Sequence, residues 1–111
     1  MGDKNKPPTN KQSLSHGNVY VMTHSFFSDV IKIGCTPNDP IEHAAALSAK
    51  TPGEYKVVFS IACANPCQIK SQIRDYLHAK AYVNEFYQVP IEVAEKLLTR
   101  ETLRIPSLQS N

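Results

Sequence analysis

No stretch of this sequence approaches the roughly 20 consecutive apolar residues of a membrane-spanning helix. The polar opening MGDKNKPPTN also lacks the apolar core of a secretion signal, so an intracellular protein with no membrane partner is expected. Cysteine is scarce and odd in number: Cys35, Cys63 and Cys67. An odd count argues against a closed disulfide framework and suits a reducing compartment. The spacing Cys63-x-x-x-Cys67 would suit a metal site, but no second pair of ligands accompanies it and Cys63 falls in an apolar strand. Buried free thiols are therefore the expectation. Charge of one sign is in short supply too, the net being +2. That value does not demand a nucleic-acid partner, yet a near-neutral sum can conceal one basic face.

What is present is an ordinary globular composition, 41% hydrophobic and 20% charged, over 111 residues. That length suits one domain with a modest core. Residues 1–16 carry prolines, lysines and small polar groups with hardly any apolar side chains, and are expected to form a flexible tail. Lys4, Lys6 and Lys11 there either touch phosphates or stay solvated. The segment GNVYVMTHSFFSDVIKIG, Gly17 to Gly34, reads as a β-hairpin: Val19–Met22 and Val30–Ile33 suit a pleated surface, and Ser25, Ser28 and Asp29 supply turn chemistry. Asp39-Pro40 starts a helix over IEHAAALSAK, with Ile41, Ala44, Ala45 and Leu47 as a narrow apolar face. Thr51-Pro52-Gly53 turns the chain into a third strand, Glu54–Ala64, where Val57, Phe59 and Ile61 alternate along one face. Asn65-Pro66 repeats the helix start and opens a helix to about Lys80 with Ile69, Ile73, Tyr76 and Leu77 in one stripe. Glu85–Val89 is a further short strand or an extended loop. A third helix, about Ile91 to Arg100, buries Val93, Ala94, Leu97 and Leu98. Residues 101–111 are expected to be loosely held, which leaves 17–100 as the domain. The order β-β-α-β-α-(β)-α predicts an α+β fold, a small mixed or antiparallel sheet with helices on its faces.

Val19-Tyr20-Val21, then Lys32-Ile33-Gly34, Asp39-Pro40 and finally Glu85-Phe86-Tyr87 together resemble the GIY-YIG nuclease superfamily, more narrowly a small phage-type branch of it. The resemblance spans roughly residues 17–98 and implies a three-stranded sheet flanked by helices. It also implies a phosphodiester-cleaving site with a tyrosine in each half of the signature, an arginine on the first helix and a metal-binding glutamate on a later helix. Tyr20 matches the first tyrosine, Lys32 replaces the second, and His43 stands where the branch has arginine. Lys70 occupies the place of the metal-binding glutamate, and an ammonium cannot ligate magnesium. Glu85 matches the branch's own acidic residue. Glu85, Glu42 or Asp75 could hold a metal only if the helix register differs from the one drawn.

The pattern implies a nuclease-like scaffold with impaired chemistry. The leading expectation is a DNA-binding, non-catalytic domain gripping phosphate through Tyr20, Lys32, His43, Lys70 and Arg74, with no cofactor. Two alternatives stand beside it. One is an endonuclease using Tyr20, Lys32, His43 and Mg²⁺ or Mn²⁺. The other is a protein-interaction module, a decoy or inhibitor that engages its partner through Phe26 and Phe27. Tyr20, Phe26 and Phe27 could also stack on bases, whereas Tyr20 is equally readable as a strand tyrosine filling core, and the two phenylalanines as packing against the third helix.

Overall fold

Strands β1 (His16–His24) and β2 (Phe27–Thr36) form the expected hairpin, closed by the two-residue turn Ser25-Phe26. Tyr20 lies opposite Gly34 and Met22 opposite Lys32. The structure is a computed structural model describing residues 16–83 and 85–103. Expectations for residues 1–15 and 104–111 lie outside it. Val19, Tyr20, Val21 and Met22 are all buried because β1 is a central strand covered on both faces. Alternate side chains point to opposite sides of a strand, so a continuous apolar run is what such a strand requires.

The remaining elements are α1 (Pro40–Lys50), β3 (Tyr55–Ala64), α2 (Pro66–Tyr76), β4 (Ala81–Val83), β5 (Phe86–Tyr87) and α3 (Ile91–Thr102). A 3-10 turn, His78–Lys80, follows α2. The sheet order is β3-β1-β2-β5-β4 with every neighbour antiparallel. The fold is α+β as expected, three long strands and three helices, widened by the two short strands. On one face Val19, Val21, Ile31 and Ile33 pack with Ile73 and Leu77 of the α2 segment and Ala94 and Leu98 of α3. On the other, Tyr20 and Met22 pack with Ala44 and Leu47 of α1 and with Tyr55 and Val57.

Asp39 caps α1 as its sequence promised, its Oδ1 accepting from the Ile41 N–H at 3.1 Å. Asn65 starts α2 differently. It makes no side-chain cap and sits at φ 52, the left-handed region that asparagine tolerates better than most residues. Several apolar stripes are narrower than periodicity suggested: Ile41, Ala45, Tyr76 and Val93 are exposed. Helix α2 ends at Tyr76, earlier than expected, and α3 runs on to Thr102.

Two corrections bear on the site. The pairing of β1 with β3 slips between Val21, opposite Phe59, and Met22, opposite Val57, leaving Val58 as the extra residue of a bulge. Val57 therefore does not share a face with Phe59 and Ile61; it turns with Tyr55 toward α1. The second concerns the thiols. Cys35 and Cys67 form a disulfide with Cα atoms 5.2 Å apart, and only Cys63 is free. Cys35 shares the helix-facing alternation of Ile31 and Ile33, and the Pro66 start sets Cys67 in the first turn of α2 above it. An odd count thus left one thiol over rather than three unpaired. Among the described residues no helix is long and apolar enough to cross a membrane.

Candidate functional site

The Tyr20 ring is 2% exposed, and its hydroxyl end lies against the backbone of Gly34 across the hairpin. A Cβ at Gly34 would fall 2.3 Å from Tyr20 Oη, so the opposing residue has to be glycine for the ring to lie where it does. Burial first, then the nearby Glu85 and Tyr55, push the Tyr20 hydroxyl well above the ordinary tyrosine pKa. It is a neutral phenol, able to donate a hydrogen bond but poorly suited to take a proton from water. His43, on α1, is half-buried with its ring centroid 5.5 Å from that of Tyr20, so the structure does bring these two together.

Glu85 sits in the turn before β5, where its main-chain carbonyl accepts the Ile33 N–H at 3.0 Å and anchors it to the edge of β2. Its carboxylate is shared by two lysines from different elements. Lys32 Nζ of β2 bonds Oε1 and Lys70 Nζ of α2 bonds Oε2, both at 2.5 Å. Burial works against the charge on Glu85, but the hydrogen bonds and positive charges of Lys32 and Lys70 outweigh it and hold the carboxyl below its usual value. The lysine side chains are only 14% and 23% exposed, so solvent screens this cluster less than a surface pair. Arg74, one turn further along α2, lines the same depression of about 520 Å³ with Tyr55, Phe86 and Tyr87. Three cations meet one carboxylate there, a surplus of two positive charges.

The sequence model of the T5orf172 domain matches residues 17–101, most of the chain and all of the sheet but its first residue, His16. The chain belongs to the T5orf172 domain family. Comparison with curated proteins and with solved structures gives no significant match. This corrects the resemblance to the GIY-YIG superfamily: the V-Y-V, K-I-G and D-P segments lie inside the span of a different family, though both relate to nuclease-like phage domains. Each of those segments is short. Together they specify a hairpin followed by a proline-started helix, a local geometry more than a lineage.

In this T5orf172 domain the roles of site residues rest on geometry. Glu85 is the carboxylate at Tyr20, and both its oxygens already receive ammonium groups. Glu42 on α1 and Asp75 on α2 are exposed, and among the described residues no three His, Cys, Asp or Glu side chains converge as a metal site requires. A divalent cation needs several oxygen ligands and would be opposed by Lys32 and Lys70. The residues present do not fit such a metal.

Sequence reasoning singled out Phe26 and Phe27 but missed His24, Tyr55 and Phe86, which stand around them. His24, 8% exposed, lies within an aromatic shell, with ring centroids 4.7 Å from Tyr55 and 5.3 Å from both Phe26 and Phe27. Phe86 stands 6.4 Å from Phe27 and from Tyr55, and Lys32 Nζ lies 5.7 Å from its centroid. Tyr55 is held in place by its N–H, which donates to Ser48 Oγ of α1 at 2.9 Å. Phe26 and Phe27 are 64% and 44% exposed, at the hairpin end and around His24 rather than packed on the third helix. The only sequence signal for this cluster was the aromatic spacing in HSFF and EFY, and the β3 bulge that delivers Tyr55 has no signature of its own.

Proposed function

We propose that this domain binds DNA by gripping phosphate on the face formed by Lys32, Lys70 and Arg74, without hydrolysing it. The observation that carries this reading is Glu85 held between two lysines. Each ammonium has three donors and spends one on Glu85, which leaves the others for a phosphate oxygen. Glu85 thus preorganises the two cations and spares the ligand part of the entropy of ordering long side chains. Tyr20, buried beneath the sheet surface with His43 against it, is a neutral phenol and is poorly placed to act as a base for water.

Binding of labelled oligonucleotides at several salt concentrations tests the grip. The logarithm of affinity should fall linearly with that of salt, and Arg74→Ala should make the slope shallower by about one. Affinity indifferent to salt would remove the phosphate face. Plasmid incubated with Mg²⁺ or Mn²⁺ should remain uncut; nicking that disappears in Tyr20→Phe would show a working nuclease and overturn the non-hydrolytic part.

A further inference from the structure

Beside the basic depression lies a second cavity of about 390 Å³, walled by His24, Phe26, Phe27, Tyr55 and Phe86 and floored near Pro52. Its volume falls within the roughly 300–1,000 Å³ usual for small-molecule sites. Tyr55 and Phe86 line both cavities, so an apolar aromatic slot and a cationic face share one wall. Lys32 lies toward the Phe86 ring from the basic side, while Phe27 approaches that ring from the aromatic side. A flat apolar group and an anion a few ångströms apart are the two halves of a nucleotide. Resting on the reading that phosphate binds the basic face, we propose that the aromatic cavity receives one unstacked nucleobase, so that the domain prefers unpaired nucleotides to duplex.

The hydrogen bonding of His24 defines how that base is read. The Phe26 N–H donates to His24 Nδ1 at 3.1 Å, which makes Nδ1 the bare nitrogen, and Nε2–H donates to the Pro52 carbonyl at 3.2 Å. Both ring nitrogens are engaged within the protein. The Thr51 hydroxyl at the rim likewise donates to the Leu47 carbonyl at 3.3 Å. With His24 and Thr51 engaged elsewhere and the Tyr55 hydroxyl as the polar group left on its aromatic side chains, the slot offers mainly faces and edges of rings, and recognition is by stacking, which every base accepts. Gly53, at φ 86, lets the turn close on His24: a Cβ there would lie 2.3 Å from His24 Cε1, so imidazole and turn form a fixed back wall.

The test is fluorescence anisotropy with the full chain at one fixed salt concentration. Three probes of equal length are used: a mixed-sequence single strand, the same sequence as duplex, and a strand of abasic residues that keeps its phosphates. The single strand should bind about tenfold more tightly than the abasic strand, the contribution of one stacked base, and more tightly than duplex. Phe27→Ala should abolish that tenfold advantage and Phe27→Trp should retain it. Because Phe27 is exposed at the mouth of the cavity, neither change threatens the core. Equal affinity for all three probes, with salt dependence intact, would overturn the base slot and leave the phosphate reading standing. No salt-dependent binding to any probe would overturn both, and a protein ligand for the exposed phenylalanines would then be the better account.

Discussion

At Glu85 one side chain carries opposite obligations to stability and to binding. Its folded pKa is depressed by Lys32 and Lys70. Its contribution to stability is therefore fully present above about pH 4.3, the ordinary glutamate value, and is lost as pH falls through the lower folded value. Glu85→Gln should be less stable than the parent at pH 7, because two partly buried ammonium groups lose their counter-charge. Urea unfolding followed from pH 7 to pH 2 should show that gap closing on the acid side. The amide oxygen of the glutamine so introduced can still accept from one lysine and keep part of the preorganisation, while the negative charge that repels phosphate is gone. The same change should therefore tighten oligonucleotide binding several-fold. At Gly34 the prediction is purely steric: Gly34→Ala sets a methyl group 2.3 Å from Tyr20 Oη and 2.6 Å from Cζ. Overpacking of this kind destabilises by about 1–3 kcal/mol, and Tyr20→Leu in the same chain should recover part of it, as a double-mutant cycle of thermal unfolding would show. Tyr20, Lys32 and Glu85 were each visible in the sequence as members of short motifs. That Lys70 would meet Glu85 across the edge of the sheet was not, because nothing local couples residues 15 positions apart when a 3-10 turn and a three-residue strand intervene.

At the level of elements, the disulfide ties α2 to β2, and α2 carries Lys70 and Arg74. Cys67 and Lys70 lie on successive turns of that helix, so the bond fixes the segment that presents the cations. Closing a loop over a sequence separation of 32 stabilises by about 2–4 kcal/mol, chiefly through the unfolded chain. Unreduced protein unfolded in denaturant should take up one alkyl label, at Cys63, and three after reduction; reduction should also lower the unfolding midpoint. Three labels without reduction would refute the bond. The helix starts were legible because Asp-Pro and Asn-Pro act locally, whatever the tertiary surroundings. The faces of β3 were not. A bulge changes the parity of a strand without altering its composition, and Val57-Val58-Phe59 reads the same with or without one. For the same reason the aromatic slot escaped notice, since Tyr55 reaches it only through that change of parity.

Over the whole molecule, a net charge of only +2 is distributed unevenly. The sheet sets Lys32 on one face and α2 sets Lys70 and Arg74 over its edge, where a single carboxylate faces three cations. The rest of the fold serves that convergence: a hairpin buried on both faces, one helix against Tyr20 and Met22, and two against Val19 and Val21. The most direct measurement is the salt dependence of single-strand binding, from about 50 to 200 mM, for the parent chain, Lys70→Ala and Glu85→Gln. The account predicts a slope shallower by about one and weaker binding for Lys70→Ala, and tighter binding with an undiminished slope for Glu85→Gln. Identical affinities and slopes for all three proteins would contradict it.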